Sequence, residues 1–332
     1  MKLNFEPYYY TNLGSAYLGD SRELLKCVPD DSIDLICTSP PFALLRKKEY
    51  GNVDADQYIA WFYDFAIQFH RILKPSGSLV IDIGGSWIKG IPARSLYHFE
   101  LVLSLCKSPA KGGLGFYLAQ ELYWYNPAKL PTPAEWVTIR RERVKDAVNT
   151  VWWLSKEPHP KANNKRVLKP YSKSMKNLLK NGYQPKIRPS GHDISDQFTH
   201  DRGGAIPPNL IDGRENQEQE EMGTQTVIEE ILTEDSVYPV NVISAANTAA
   251  NDVYQKRCKK AGFKPHPARF PAALPEFVIN LCTEPNDVVL DPFAGSNMTG
   301  KVAESLGRNW LAFEINEGYV QSSKLRFLDD EE

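Results

Sequence analysis

Residues 287–315 read DVVLDPFAGSNMTGKVAESLGRNWLAFEI. The apolar run from Asp287 to Leu290 predicts a buried strand, Asp291 to Asn297 a tight turn, Met298 to Leu306 a helix, and Asn309 to Ile315 a second strand. Strand, turn, helix and strand in that order make a βαβ unit, whose strands run parallel. The same pattern occurs near the other end of the chain. Ile33 to Cys37 (IDLIC) is an apolar run bounded by Pro29-Asp30-Asp31 and Ser39-Pro40-Pro41, as befits a strand covered on both faces. Asp56 to Leu73 carries Ile59, Phe62, Phe65, Ala66, Phe69 and Leu73 at helical spacing. Lys74-Pro75-Ser76-Gly77 then predicts a turn and Ser78 to Ile83 (SLVIDI) the next strand. This alternation implies an α/β fold with a doubly wound sheet, which binds ligands at the carboxyl ends of its strands. Two polar loops, Thr38 to Phe42 and Asp291 to Asn297, are thereby aimed at one edge.

Each loop has its own chemistry. Asp291 closes one strand, Gly295 lets backbone approach a ligand, and Glu314 closes the next strand 23 positions after Asp291. That layout suits an adenosine, the second acid accepting from ribose hydroxyls at roughly the 20-residue spacing expected. The pattern GxGxxG is missing, so a cofactor without phosphates fits better than a dinucleotide; a glycine at a strand end also occurs in α/β domains that bind nothing. In Thr38-Ser39-Pro40-Pro41-Phe42 the two prolines forbid helix and remove two backbone donors. What remains are acceptors: the Ser39 hydroxyl and the carbonyls of Ser39 and Pro40, beside the Phe42 ring. Such a site suits the exocyclic amino group of a flat base stacked on Phe42, and a plain Pro-Pro loop is the alternative.

The 332 residues carry 39 Lys+Arg against 41 Asp+Glu, a net charge of −2, with 42% hydrophobic residues. Disorder throughout is excluded, and one large or two modest domains are allowed. Read whole, a charge near zero argues against nucleic acid as a partner. Resolved along the chain, it does not. Trp136 to Ser190 holds 14 basic residues against three acidic ones, a net of +11, while Asp212 to Asp235 holds nine acids against Arg214, a net of −8. A solvated helix face could account for some of these lysines. Trp152, Trp153, Tyr171 and Tyr183 interleave with them among several prolines, a loop-rich pattern suited to phosphate and base contacts. No 18-residue apolar run occurs, and the start MKLNFEPYYYTNLG lacks a basic-then-apolar leader, so a cytoplasmic protein without a membrane span is expected. Cys27, Cys37, Cys106, Cys258 and Cys282 are scattered, which argues against a disulfide framework and against a zinc site; no metal is expected.

Thr38-Ser39-Pro40-Pro41-Phe42 resembles the catalytic motif of amino-methylating DNA methyltransferases. It has the Ser-Pro-Pro-Phe/Tyr form associated with N4-cytosine enzymes, not the Asp-Pro-Pro-Tyr form commoner in adenine enzymes. Asp291-Pro292-Phe293-Ala294-Gly295-Ser296-Asn297 resembles that family's S-adenosylmethionine loop, His266-Pro267-Ala268-Arg269-Phe270-Pro271 the element preceding it, and Leu73-Lys74-Pro75-Ser76-Gly77 a turn that leads into a strand. Catalytic motif first and cofactor motif last is the permuted order of the β group. The resemblance covers nearly the whole chain, including Ala43 to Asn52, Arg188 to Asp193 and Ile206 to Leu210, with the acidic segment as an insertion. It implies a permuted Rossmann-like S-adenosylmethionine-dependent methyltransferase sheet with an inserted target-recognition region. The expected divisions are a catalytic half (1–135), a target-recognition region (136–265, with the acidic insertion near 212–235) and a cofactor-binding half (266–332).

By the same resemblance, Asp20 accepts from the cofactor's adenine amino group, Glu314 holds the ribose, and Phe293 packs on the adenine. Gly295 allows close approach, Phe270 and Pro271 border the methionine part, and Thr38, Asp291, Ser296 and Asn297 complete the cofactor set. Ser39, Pro40, Pro41 and Phe42 form the catalytic set, with Trp124 and Tyr125 as a candidate opposite wall. Arg46, Lys47, Arg140, Arg141, Lys165, Arg166, Arg188 and His192 are the expected DNA contacts. The implied reaction moves a methyl group directly from S-adenosylmethionine to the N4 amino group of a cytosine rotated out of the duplex. The covalent route of carbon-five cytosine methylases needs a Pro-Cys dipeptide, which is missing here. Adenine amino methylation and a non-catalytic DNA-binding module are the alternatives. The implied partner is double-stranded DNA, approached by a monomer, with a restriction endonuclease as functional counterpart.

Overall fold

Two strands from opposite ends of the sequence lie side by side at the centre of the sheet: β3 (Ile33–Thr38) and β8 (Val288–Asp291), parallel, with Leu35 opposite Val289 and Ile36 opposite Leu290. The computed structural model describes residues 3–43, 53–126, 129–182, 200–211, 253–267 and 271–328. Its other strands are β1 (Tyr9–Tyr10), β2 (Gly14–Leu18), β4 (Leu73–Ile83), β5 (Tyr117–Tyr125), β6 (Val148–Ser155), β7 (Leu210–Ile211) and β9 (Asn309–Glu314). The helices are α1 (Ser21–Lys26), α2 (Tyr58–Ile72), α3 (Tyr97–Cys106), α4 (Lys173–Asn181), α5 (Val253–Lys260), α6 (Ala273–Cys282), α7 (Met298–Ser305) and α8 (Glu317–Ser323). The strand order is β1-β2-β9-β8-β3-β4-β6-β5-β7.

From β8 the chain runs through α7 to β9 on one side; from β3 it runs through α2 to β4 on the other. The winding reverses between β3 and β8, which makes their carboxyl ends the crevice where a doubly wound sheet binds its ligand. Every residue of β3 is buried. Ile36, Leu79, Ile81, Leu290, Leu311 and Phe313 join one core with Leu24, Leu25, Phe62, Phe69, Leu101 and Leu105 of α1, α2 and α3. Their strand neighbours Leu35, Cys37, Val80, Val289 and Ala312 are equally buried. Side chains alternate between faces along a strand, so both faces of the central sheet are covered, and that is why these strands are apolar throughout.

Two readings of the sequence need correction. Lys74-Pro75-Ser76-Gly77 is not a turn before a strand. It lies inside β4, where the ladder jumps from Ile33 opposite Leu73 to Leu35 opposite Ser78, so the extra residues bulge out of register. Trp152 and Trp153 are not surface aromatics. They sit in β6, which pairs antiparallel with both β4 and β5, and they are 2% and 8% exposed. The Trp153 indole N–H donates to Ser78 Oγ at 2.9 Å. A strand held this firmly cannot offer its rings to a base.

The chain divides into two units, Met1–Ala162 with Asn209–Glu332, and Asn163–Pro208. The expected boundary at residue 136 therefore falls inside the first unit, because β6 is part of its sheet. In the smaller unit, Ser172 caps α4 by accepting from Met175 N–H at 3.2 Å, Lys169 and Ala205 form an antiparallel bridge, and Tyr171 Oη accepts from Arg202 N–H at 2.9 Å. Among the described residues no helix is long and apolar enough to cross a membrane, and no group of three metal-ligating side chains is gathered.

Candidate active site

The carboxyl ends of β3, β8, β9 and β4 open into a cleft of about 420 Å³. Thr38, at the end of β3, donates its hydroxyl to Asp291 Oδ1 at 2.7 Å. Asp291 also accepts from Thr299 Oγ1 at 2.7 Å and from Phe293 N–H at 3.1 Å. Burial pushes the Asp291 carboxyl up to about 6, against the pull of these donors. Thr38 and Asp291 are 2% exposed and outside the cleft lining. They join the two loops from beneath.

Asn297 is likewise structural. It takes a left-handed backbone conformation, φ 54°, caps α7 by accepting from Gly300 N–H at 3.0 Å, and donates to Tyr9 Oη at 2.9 Å. Ser296 lines the cleft, and Arg326 anchors it from behind by donating to its carbonyl at 2.6 Å and its hydroxyl at 3.0 Å. Gly295 has φ +52°, and a Cβ there would stand 3.1 Å from the His266 imidazole, so shape and backbone both favour glycine. Its N–H donates to Glu314 Oε2 at 2.8 Å, while Asn316 N–H donates to Oε1 at 2.8 Å. Burial raises the Glu314 carboxyl above the usual range.

Asp20 and Glu314 both line the cleft. Asp20 caps α1 through Arg22 N–H at 2.9 Å and also faces the cavity, so the cap leaves it exposed to a ligand there. The Arg22 guanidinium bonded to it holds its carboxyl below the usual range. Ser21 Oγ donates to the Pro292 carbonyl, fastening α1 to the β8 loop. Phe293 lies 5.9 Å from Trp61 and 5.0 Å from Phe65, ring centre to ring centre, making an aromatic wall with α2. Pro271 is outside the lining, and Phe270 lies outside the described residues.

Ser39, Pro40, Pro41 and Phe42 line the other end of the cleft together with Asp82, Trp124, Asn126, Lys129 and Asn149. Ser39 Oγ donates to Asp82 Oδ2 at 3.0 Å, and Asn149 Nδ2 donates to Asp82 Oδ1 at 3.2 Å. Burial pushes Asp82 up to about 6 despite these donors. The Ser39 proton is committed to Asp82, so its lone pairs are left to accept from a ligand. The Phe42 ring packs against Gly84, where a Cβ would stand 2.7 Å from it. Of the two candidate wall aromatics, Trp124 lines the cleft and Tyr125 does not.

Residues 33–325 match the N6/N4 methyltransferase family model, described as DNA methylase. The type II methyltransferase M.PvuII of Proteus hauseri is 48% identical, over 99% of this chain and 88% of that protein. The chain belongs to the N6/N4 DNA methylase family. A solved structure of PvuII DNA methyltransferase (cytosine-N4-specific) superposes on the methylase with a TM-score of 0.72 at 41% identity, covering 100% of this chain and 92% of that one. The DNA adenine methyltransferase YhdJ of Escherichia coli strain K12 is 25% identical over 99% of this chain and 87% of that protein.

The candidate DNA contacts of the methylase come from separate stretches of the chain. Arg140 and Arg141 are exposed on the loop between β5 and β6, Arg140 bonded to Glu135 at 2.8 Å and lying 5.0 Å over the Trp136 ring. Lys165 and Arg166 belong to a short helical turn, Asn164–Val167, in the smaller unit. Arg46, Lys47, Arg188, His192 and the acidic segment 212–235 lie outside the described residues. Sequence reasoning missed Asp82, Lys129, Asn149, Trp61 and His266 as cleft groups. Asp82 carried a readable signal, a lone acid near the carboxyl end of an otherwise apolar strand. Lys129 and Asn149 carried none, since they reach the cleft only through the antiparallel β5–β6 pair.

Proposed function

We propose that this protein is a site-specific DNA methyltransferase that transfers a methyl group from S-adenosylmethionine to the exocyclic N4 amino group of a cytosine in duplex DNA, within a restriction-modification system. The observation that carries this reading is the Ser39–Asp82 pair at the carboxyl end of β3, one strand away from the loop after β8. The likeness to M.PvuII, and to a solved enzyme described as cytosine-N4-specific, supports the choice of base and atom.

The residues at the cleft's first end fit the cofactor. Glu314 and Asp20 offer acceptors for ribose hydroxyls and an adenine amino group, the Phe293–Phe65–Trp61 wall offers an apolar face, and Gly295 leaves room for close approach. When bound, S-adenosylmethionine supplies the methyl group on an electrophilic sulfonium. Everything else is the chain's work. The lone pair of a cytosine amino nitrogen is delocalised into the ring, so that nitrogen is a poor nucleophile. Ser39 Oγ, held as an acceptor by its bond to Asp82, and the Pro40 carbonyl accept hydrogen bonds from the two amino N–H groups and favour a tetrahedral nitrogen whose lone pair is free to attack, the C–S bond breaking as the N–C bond forms. Asp82, with its pKa lifted to about 6, is placed to relieve the positive charge that develops on that nitrogen, through Ser39. Phe42 offers a stacking face for the extruded base.

β5 runs parallel to β4, so the β5–β6 loop rises from the cleft's edge of the sheet, and its exposed Arg140, Arg141, Arg143 and Lys145 suit phosphate contacts. The protein acts in the cytoplasm, on one strand per encounter, as a monomer with a restriction endonuclease as counterpart. The likeness to an adenine methyltransferase favours a second reading, adenine amino methylation. Long-read modification sequencing of DNA from a methylation-deficient host expressing the protein decides between them. N4-methylcytosine at one short motif is expected, N6-methyladenine establishes the second reading, and unmodified DNA refutes both.

A further inference from the structure

The polar groups behind Ser39 form a chain whose direction is fixed by chemistry. Lys129 Nζ donates to Asn149 Oδ1 at 2.8 Å and to the Val148 carbonyl at 3.3 Å; Asn149 Nδ2 donates to Asp82 Oδ1; Ser39 Oγ donates to Asp82 Oδ2. An ammonium has no acceptor and an ionised carboxylate has no donor, so the Asn149 amide between them can point only one way. Asp82 is 2% exposed and Asn149 7%, so each meets little water and these bonds supply most of its polar contacts. We propose that Lys129 is a positioning residue for methyl transfer, which acts through Asn149 to hold Asp82 as a fixed anionic acceptor for the Ser39 hydroxyl.

The consequence lies in the polarity of Ser39. While Asp82 is ionised, the hydroxyl donates inward and presents lone pairs to the incoming amino group. Once Asp82 is protonated it donates to Ser39 instead, the hydroxyl turns outward, and its proton meets the amino protons head on. The balance is close, because burial lifts Asp82 to about 6 and Lys129 is among the groups opposing that rise. Around this pair stand Tyr97 on α3 and Cys37 on β3, both sensing the Asp82 charge, and Arg94 and Asp146, both sensing Lys129. Lys129 is the one cation among these that is hydrogen-bonded into the chain. Burial lowers its own pKa, as expected for an ammonium placed for its effect on a neighbour and not for solvation.

This inference rests on the reading of Ser39 as the acceptor for the target amino group. The test uses the full chain, tritiated S-adenosylmethionine and unmethylated plasmid DNA, and measures single-turnover methyl transfer from pH 5.5 to 9. In Lys129→Met the acid limb of the rate profile should move up by about one pH unit. The rate deficit at pH 6 should then be roughly fivefold larger than at pH 9, with cofactor affinity unchanged. Lys129→Arg should restore the wild-type profile. If Lys129→Met does not fold, Asn149→Asp serves in its place: a second carboxylate beside Asp82 should move the same limb in the same direction. A deficit constant across pH, a deficit that tracks only DNA affinity and salt, or no deficit overturns the proposal. Ser39→Ala and Asp82→Asn separate the two levels: full activity in both defeats the reading of the site itself, whereas inactive Ser39→Ala and Asp82→Asn beside an unshifted Lys129→Met defeat only the role of Lys129.

Discussion

Glu314→Gln tests the cofactor end of the cleft most directly. The carboxylate takes Gly295 N–H on one oxygen and Asn316 N–H on the other, both at 2.8 Å, and still has lone pairs for ribose hydroxyls. Glutamine keeps the size and shape but replaces one oxygen with an amino group. Whichever way the amide turns, one backbone N–H faces a donor. A hydrogen bond to a charged group contributes about 1.5–3 kcal/mol, and about 1.4 kcal/mol corresponds to tenfold in affinity. The variant should therefore bind S-adenosylmethionine roughly 10- to 150-fold more weakly. Isothermal titration gives that number, and thermal unfolding without ligand gives the part borne by the fold. The wild-type affinity should also decline on acidification earlier than an ordinary glutamate would dictate, because burial raises the Glu314 pKa and protonation mimics the substitution. The glutamine variant has nothing there to titrate and should lack this decline. A dissociation constant within twofold of wild type, with the pH dependence intact, would refute the assignment.

Three further outcomes follow from the geometry. Ser39→Ala and Phe42→Ala should each lower single-turnover methyl transfer by roughly 100-fold or more while leaving the cofactor dissociation constant within about twofold, read by rapid quench and titration. Gly84→Ala puts a methyl group 2.7 Å from the Phe42 ring and should displace it, cutting turnover by about 100-fold with cofactor affinity unchanged; unimpaired turnover would mean that Phe42 has no stacking role. Arg326→Met strands the carbonyl and hydroxyl of Ser296 and should destabilise the protein by about 2–4 kcal/mol in urea unfolding.

The central fold was legible because its strands announce themselves: IDLIC, VIDI and DVVL are buried on both faces and therefore apolar at nearly every step, each broken by one acid, Asp34 and Asp287 at the ends away from the cleft and Asp82 beside it. The β5–β6 pair hid for the opposite reason. The first five residues of β5 are all exposed and β6 lies among lysines and arginines, so neither alternation nor a clean apolar run marks them. That concealment placed Trp152 and Trp153 on the surface in the sequence reading, and it left Lys129 and Asn149 without a role. Ladder register, with Asp82 opposite Val151, brings Asn149 to Asp82, and no spacing along the chain reports it. Asp20 was legible as a helix cap, and a cap at the end of a strand already stands at the edge where the cleft opens.

The adjacency of β3 and β8 bears on how the protein is made. Some 250 residues separate these neighbours, and β2 likewise waits for β9 to flank it. During synthesis the β3 edge that faces β8 stays bare until β8 has been translated, an apolar, unpaired strand of the kind that recruits foreign partners. Closing so long a loop is slow, and it completes the central sheet and brings the two halves of the active site together in one event. A chain that stops short of β8 and β9 lacks Phe293, Gly295 and Glu314 from the cleft wall. The cleft therefore forms only once β3 and β8 have paired, whatever else of the sheet is already in place.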